Sequence, residues 1–281
     1  MPRMKYNLLL IILLMVALVV YGFKFTKTKT IVGFQHPESV WQYKNFIYVS
    51  NVGKYGENNG FITKLDRYGH IIEYKYIDGL KSPKGIYAYG NKLYIADVNR
   101  ICVADLKKEN KKSCTTVKNA KFLNDLVVKN SEVYVTDTLK NCIFKMRENG
   151  KVSIFFSQSG LSPNGIAFSH KLNAFIVVSF NKPVINIVSS NGKLIKSINV
   201  KKFDGFDGIF IDKNSIYLSD YRKGLIIKTT FNMKHFDIIK HFQANVADIY
   251  IKDNTIFVPL ISRNRLDLIF LSFPRMRESR V

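Results

Sequence analysis

Apolar and polar residues alternate along most of the chain in short runs, each closed by Gly, Asn, Asp, Lys or Ser. Period-two alternation between turn residues predicts β-strands. Six segments share one frame: "ESVWQYKNFIYVSN" from Glu38, "KGIYAYGNKLYIAD" from Lys84, "NDLVVKNSEVYVTD" from Asn124, "NGIAFSHKLNAFIVVS" from Asn164, "DGIFIDKNSIYLSD" from Asp207 and "ADIYIKDNTIFVPL" from Ala247. Each reads as a strand, a short polar turn and a second strand, which is a hairpin by composition.

Two further β-rich runs separate successive copies, as in "CIFKMRENGKVSIFF" with its turn at Asn149 and Gly150. Four strands in a repeat of about forty residues predict a propeller blade. Six repeats therefore predict an all-β, six-bladed β-propeller over residues 26–271. The last repeat is one strand short before the chain ends, and "KTKTIVGF" at 27–34 is the nearest unassigned strand. Pairing it with the last repeat closes the ring and removes an open edge.

Residues 1–25 follow another pattern. Arg3 and Lys5 precede an uncharged apolar run from Leu8 to Phe23. That pattern predicts an N-terminal hydrophobic helix acting as an uncleaved signal anchor, with a cleaved signal peptide as the alternative. It implies contact with a membrane and a membrane-anchored or exported propeller in the periplasm or another extracytoplasmic space. Residues 272–281 are basic, lack apolar alternation and are expected to form a disordered tail.

The net charge of +22 raises nucleic acid as a partner. The lysines are scattered singly or in pairs at hairpin tips, with no basic stripe or aromatic platform, so no nucleic acid is expected. Cys102 and Cys114 flank a polar loop and could face each other across a hairpin, although sequence does not fix the register and two small buried thiols are the first reading. A disulfide, which an exported protein could form, is the other reading. With no Cys-x-x-Cys pair and scattered histidines, a zinc site of the thiolate or imidazole kind has no basis.

In a propeller the first strand of each blade lines a central channel, so one column of the repeat becomes one ring of side chains. The column that opens the frame holds Glu38, Lys84, Asn124, Asn164, Asp207 and Ala247. Four of these offer oxygen and two are carboxylates, a donor set that suits one divalent cation, calcium first, with magnesium or manganese as alternatives. The competing reading is local turn chemistry, because Asn or Asp before Gly leads readily into a strand. Glu38 and Asn124 have no following Gly, so that reading explains the column less well. Asp97, Asp137 and Asp220, with Asn51, stand at second-strand ends and are expected to fix turns; Trp41 is expected in the core.

The segments "PESV", "LNDLVV", "SPNGIAF" and "FDGIFID" resemble, in order and spacing, the metal-binding motifs of the gluconolactonase and senescence-marker-protein (regucalcin-like) family. The resemblance spans roughly residues 30–270 and implies a six-bladed propeller with one divalent cation, zinc included in the range, held by Glu38, Asn124, Asn164 and Asp207. It also implies metal-dependent hydrolysis of a small-molecule lactone or related ester, with Asp207 as catalytic base; a non-catalytic, metal-stabilised binding propeller of the cell envelope is the alternative. Asp125 is a lesser candidate base. Members acting on sugar acids carry Arg two residues before the first Asn, where this chain has Phe122. Lys84 and Lys121 are the cations left to bind substrate.

Overall fold

The computed structural model describes residues 27–54, 57–108 and 111–271. The chain enters at β1 (Lys27–Val32), and then makes β2 (Pro37–Tyr43), β3 (Phe46–Asn51), β4 (Gly60–Asp66) and β5 (Ile71–Leu80), which form the first four-stranded sheet. The second comprises β6 (Pro83–Tyr89), β7 (Lys92–Asp97), β8 (Arg100–Asp105) and β9 (Lys112–Thr116). The third comprises β10 (Leu123–Lys129), β11 (Glu132–Asp137), β12 (Cys142–Met146) and β13 (Val152–Ser157). The fourth comprises β14 (Pro163–Ser169), β15 (Ala174–Ser179), β16 (Val184–Ser189) and β17 (Leu194–Asn199). The fifth comprises β18 (Ile209–Ile211), β19 (Ile216–Asp220), β20 (Leu225–Thr229) and β21 (Phe236–His241). The last takes β22 (Tyr250–Lys252), β23 (Thr255–Leu260) and β24 (Arg265–Phe270).

That last sheet has the order β1-β24-β23-β22, so the strand at the start of the described chain completes the final blade. The pairing is antiparallel from Lys27↔Phe270 to Val32↔Arg265. Thr30 Oγ1 reinforces it by donating to Asp267 Oδ1 at 2.8 Å. The all-β six-bladed propeller and its closure thus follow the sequence frame. The anticipated hydrophobic helix and the basic tail lie outside the described residues, and among the described residues no helix is long and apolar enough to cross a membrane.

Six hydrophobic clusters hold the ring, one at each blade junction among the described residues. Between blades 6 and 1, for example, Ile31, Phe257 and Leu266 pack on Val40, Ile47 and Leu65. Each blade buries both faces of its inner strands, which is why β11, β15 and β23 read as nearly continuous apolar runs. The outer strands alternate or stay exposed, as in β17.

Cys102 and Cys114 are directly paired residues of β8 and β9 and form a disulfide, resolving the two readings in favour of the bond. Cys142 is a buried free thiol whose pKa burial raises to about 12.

Candidate functional site

Pro37, Pro83 and Pro163 open three of the inner strands, and Leu123 opens a fourth. Proline is tolerated at that place because a first strand residue need not donate to the ladder. Immediately after it the pairing slips: register breaks between Pro37 and Val40, Pro83 and Ile86, Leu123 and Leu126, and Pro163 and Ile166. A bulge frees residues from the ladder and re-aims their side chains. The freed residues are the frame openers Glu38, Lys84, Asn124 and Asn164, each with its successor. In blade 5 the equivalent Asp207 precedes β18 and is tied by its N–H to Ser219 O at 2.9 Å.

The second-strand ends hold the loops that deliver these residues. Asp97 accepts from the backbone N–H groups of Lys81 and Ser82 at 2.7–3.0 Å, and Asp137 from those of Lys121 and Phe122 at 2.7 and 3.0 Å. Asp220 likewise accepts from Asp204 N at 2.9 Å, and Asn51 Oδ1 from Gln35 N at 2.9 Å. All four are fully buried. They fix turns, as the sequence suggests, and the turns they fix lie within a few residues of the site.

Glu38, Lys84, Asn124, Asn164 and Asp207 line one cavity of about 700 Å³ at one mouth of the channel. All five are buried. Burial raises the Glu38 carboxyl well above its ordinary range, with further contributions from Asp207 and, in the opposite sense, Lys84. Asp207 is pushed up to about 7, first by burial and then by Asp248, against the lowering effect of a side-chain hydrogen bond from Asn164. Burial also lowers the Lys84 ammonium, opposed by Glu38. Burial is the first cause of all three shifts, and it disfavours the charged form of each group.

Two side-chain atoms bear directly on the fit of a metal ion. Glu38 Oε2 and Asn124 Oδ1 are buried without a hydrogen-bond partner. Native structures seldom leave buried acceptors bare, because a lost hydrogen bond costs about 1–3 kcal/mol. Both are hard oxygens, and with Asn164 and Asp207 they make a donor set that fits a divalent cation. Among the described residues no group of three or more His, Cys, Asp or Glu is placed to hold a metal, so any such site depends on the amides of Asn124 and Asn164.

Lys84 reaches the cavity but is engaged within it. Its Nζ donates to Ser82 O and Oγ at 3.4 and 3.3 Å and lies 4.5 Å from the centre of the Phe122 ring. Lys121 is exposed and does not line the cavity; its backbone N–H donates to Asp137. The rest of the lining is largely apolar, including Phe122, Leu139, Phe180, Tyr221 and Ile261.

Beneath this ring lies another, built by the next residue of each copy. The second residue of the frame is Ser39, Gly85, Asp125, Gly165, Gly208 and Asp248 in the six copies. Asp125 Oδ1 and Oδ2 accept from Leu126 N and Ile166 N at 2.7 and 2.8 Å. Asp248 accepts from Ile249 N at 2.8 Å and Ser39 Oγ at 2.6 Å. A Cβ at Gly85 would lie 2.6 Å from Asp125 Cα, and one at Gly208 would lie 2.7 Å from Asp248 Cα. Glycine thus lets the neighbouring strand close in, and each Asp ties two blades. Asp125 opens onto the cavity at the other mouth of the channel and not onto the one that holds Glu38 and Asp207. Reading this column as well as its neighbour would have revealed Asp248.

No protein-family model matches the chain, and no curated protein sequence matches it. Solved structures share its fold. The virginiamycin B lyase of Staphylococcus aureus, in a catalytically inactive form with quinupristin, is 14% identical with a TM-score of 0.63, covering 88% of this chain and 100% of that one. A protein provisionally assigned as a gluconolactonase is 12% identical with a TM-score of 0.69, covering 88% and 93%. A Bacteroides thetaiotaomicron protein of unknown function is 8% identical with a TM-score of 0.72, covering 88% and 76%. At these identities the likeness is one of fold.

Proposed function

We propose that the chain is a divalent-metal-dependent hydrolase of a lactone or related ester, gluconolactonase-like in its chemistry. The observation that carries the reading is the pair of bare acceptors, Glu38 Oε2 and Asn124 Oδ1, buried beside Asn164 and Asp207 in one cavity. Glu38, Asn124, Asn164 and Asp207 would hold the cation, calcium ahead of magnesium, manganese or zinc. When bound, it would polarise an acyl carbonyl and lower the pKa of a water.

Asp207 is the base. Its carboxyl lines the cavity with Glu38, Asn124 and Asn164, where a water activated by the cation would sit. The amide of Asn164 donates to it and sets its orientation. Asp207 removes a proton as the water oxygen bonds to the acyl carbon; the acyl C–O bond then breaks and the proton passes to the departing alkoxide. Products are an alcohol hydroxyl and a carboxylic acid, which releases its proton to solvent as a carboxylate.

The apolar lining supports a substrate with an apolar or aromatic body in preference to a sugar. Phe122 occupies the place of the Arg seen in family members that act on sugar acids, and Lys84 stacks on it. Lys84 is the remaining cation within reach of an anionic substrate group. The Cys102–Cys114 bond and the apolar segment at 1–25 support an exported or membrane-anchored propeller in an oxidising, extracytoplasmic space.

The test is turnover of a lactone and aryl-ester panel by wild type and Asp207→Ala, with and without chelator. Chelator-sensitive hydrolysis that Asp207→Ala abolishes supports the reading. Product mass separates hydrolysis, which adds water, from the elimination that the lyase neighbours make the second possibility. Metal binding without turnover of any substrate leaves a binding propeller.

A further inference from the structure

The fourth residue of the frame is Trp41, Tyr87, Val127, Ala167, Phe210 and Tyr250 in the six copies. In ring order Phe210, Tyr250, Trp41 and Tyr87 are contiguous, from blades 5, 6, 1 and 2. Their ring centres are 5.1 Å apart for Phe210 and Tyr250, 4.6 Å for Tyr250 and Trp41, and 4.2 Å for Trp41 and Tyr87. Blades 3 and 4 contribute only Val127 and Ala167. An aromatic crescent faces two small residues, and the space left between them is a second cavity of about 480 Å³ at the opposite mouth of the channel. Trp41 is half-buried at this wall, so it is not simply the core residue its sequence position suggests.

The floor of this cavity carries two carboxyl groups. Asp125 and Asp248 line it and do not line the metal-side cavity. Every oxygen of the two carboxylates holds one donor, which leaves each oxygen a further lone pair. The basic side chains in the lining, Lys129 and His170, both sit against Phe168 of blade 4, at 4.6 and 5.2 Å from its ring centre. Among the described residues no cation lies over the rings of the crescent itself.

We propose that this second cavity binds a compact organic cation, a substituted ammonium, with its alkyl groups against the Trp41 crescent and its charge toward Asp125 and Asp248. Aromatic faces are negative at their centres and attract ammonium groups, and the effect grows when water is excluded. A neutral apolar ligand would find the rings but would bring no positive group to the carboxyl oxygens of Asp125 and Asp248. The Lys129 ammonium on Phe168 is the same contact made by the protein itself.

Trp41 is the sole tryptophan, so its emission reports on this cavity alone. Choline and its neutral carbon isostere 3,3-dimethylbutan-1-ol are titrated against the full chain in chelator, which keeps the outcome independent of the metal-side site. The expected result is a saturable change in Trp41 emission with choline and binding of the isostere weaker by about tenfold, the selectivity a cation–π site confers. Ala167→Phe, which fills the space facing the crescent, abolishes the change while circular dichroism stays that of the propeller. Should that variant not fold, Tyr87→Leu serves, with choline affinity falling and isostere affinity kept. Equal binding of the two probes, or no saturable change with choline, overturns the proposal.

Discussion

The ammonium of Lys84 lies 4.5 Å from the centre of the Phe122 ring and donates to Ser82 on its own approach to the strand. A cation that shares a cavity with Glu38 and Asp207 opposes any metal ion there, and Phe122 is what draws it aside. Lys84→Met keeps most of the length of the side chain and removes the charge. Calcium affinity by titration calorimetry should rise by about tenfold, the effect of one pK unit of electrostatic interaction. Unchanged or weaker binding would mean that Lys84 does not sense the ion.

Asp137 accepts from Lys121 N, Phe122 N and Lys140 N while fully buried. Asp137→Ala leaves these donors unanswered and loosens the loop that delivers Asn124. Chemical denaturation should show a loss of about 3 kcal/mol. Metal affinity should fall with it, although Asp137 touches no ligand; a stability loss with intact metal affinity would show that the clamp serves the blade only.

Asp207 and Asp248 are raised by burial to about 7 and about 6, whereas carboxyls in an unfolded chain titrate near about 4. The folded protein therefore binds these protons more tightly than the unfolded chain does. Their contribution to stability is present below about pH 4 and is lost as pH rises through 6 to 7. In chelator the melting temperature should fall between about pH 5 and pH 8, and calcium should restore it at the upper end more than at the lower. A chelated protein whose stability rises over that interval would contradict the charge imbalance in the channel.

The frame of about forty residues is legible because each blade repeats one solution to one packing problem, and closure is legible because the last repeat lacks a strand. The gathering of Glu38, Lys84, Asn124, Asn164 and Asp207 in one cavity follows from that frame. What makes them point inward does not, since the bulge after Pro37, Pro83, Leu123 and Pro163 is a register slip between strands that no single segment encodes. The side chain of Lys121 leaves the site for a similar reason: the backbone of its loop is tied by Asp137, a residue from the next strand. Asp248 and the aromatic crescent are visible in the sequence only when the second and fourth residues of the frame are read as columns.

The central claim is that Glu38, Asn124, Asn164 and Asp207 share one divalent cation. Anomalous diffraction from crystals grown with manganese, an oxygen-preferring stand-in for calcium, tests it most directly. One peak in the channel, about 2.0–2.6 Å from an oxygen of each of the four side chains, is the predicted result. A channel without a peak, or a peak bound by fewer than three of them, would contradict the account.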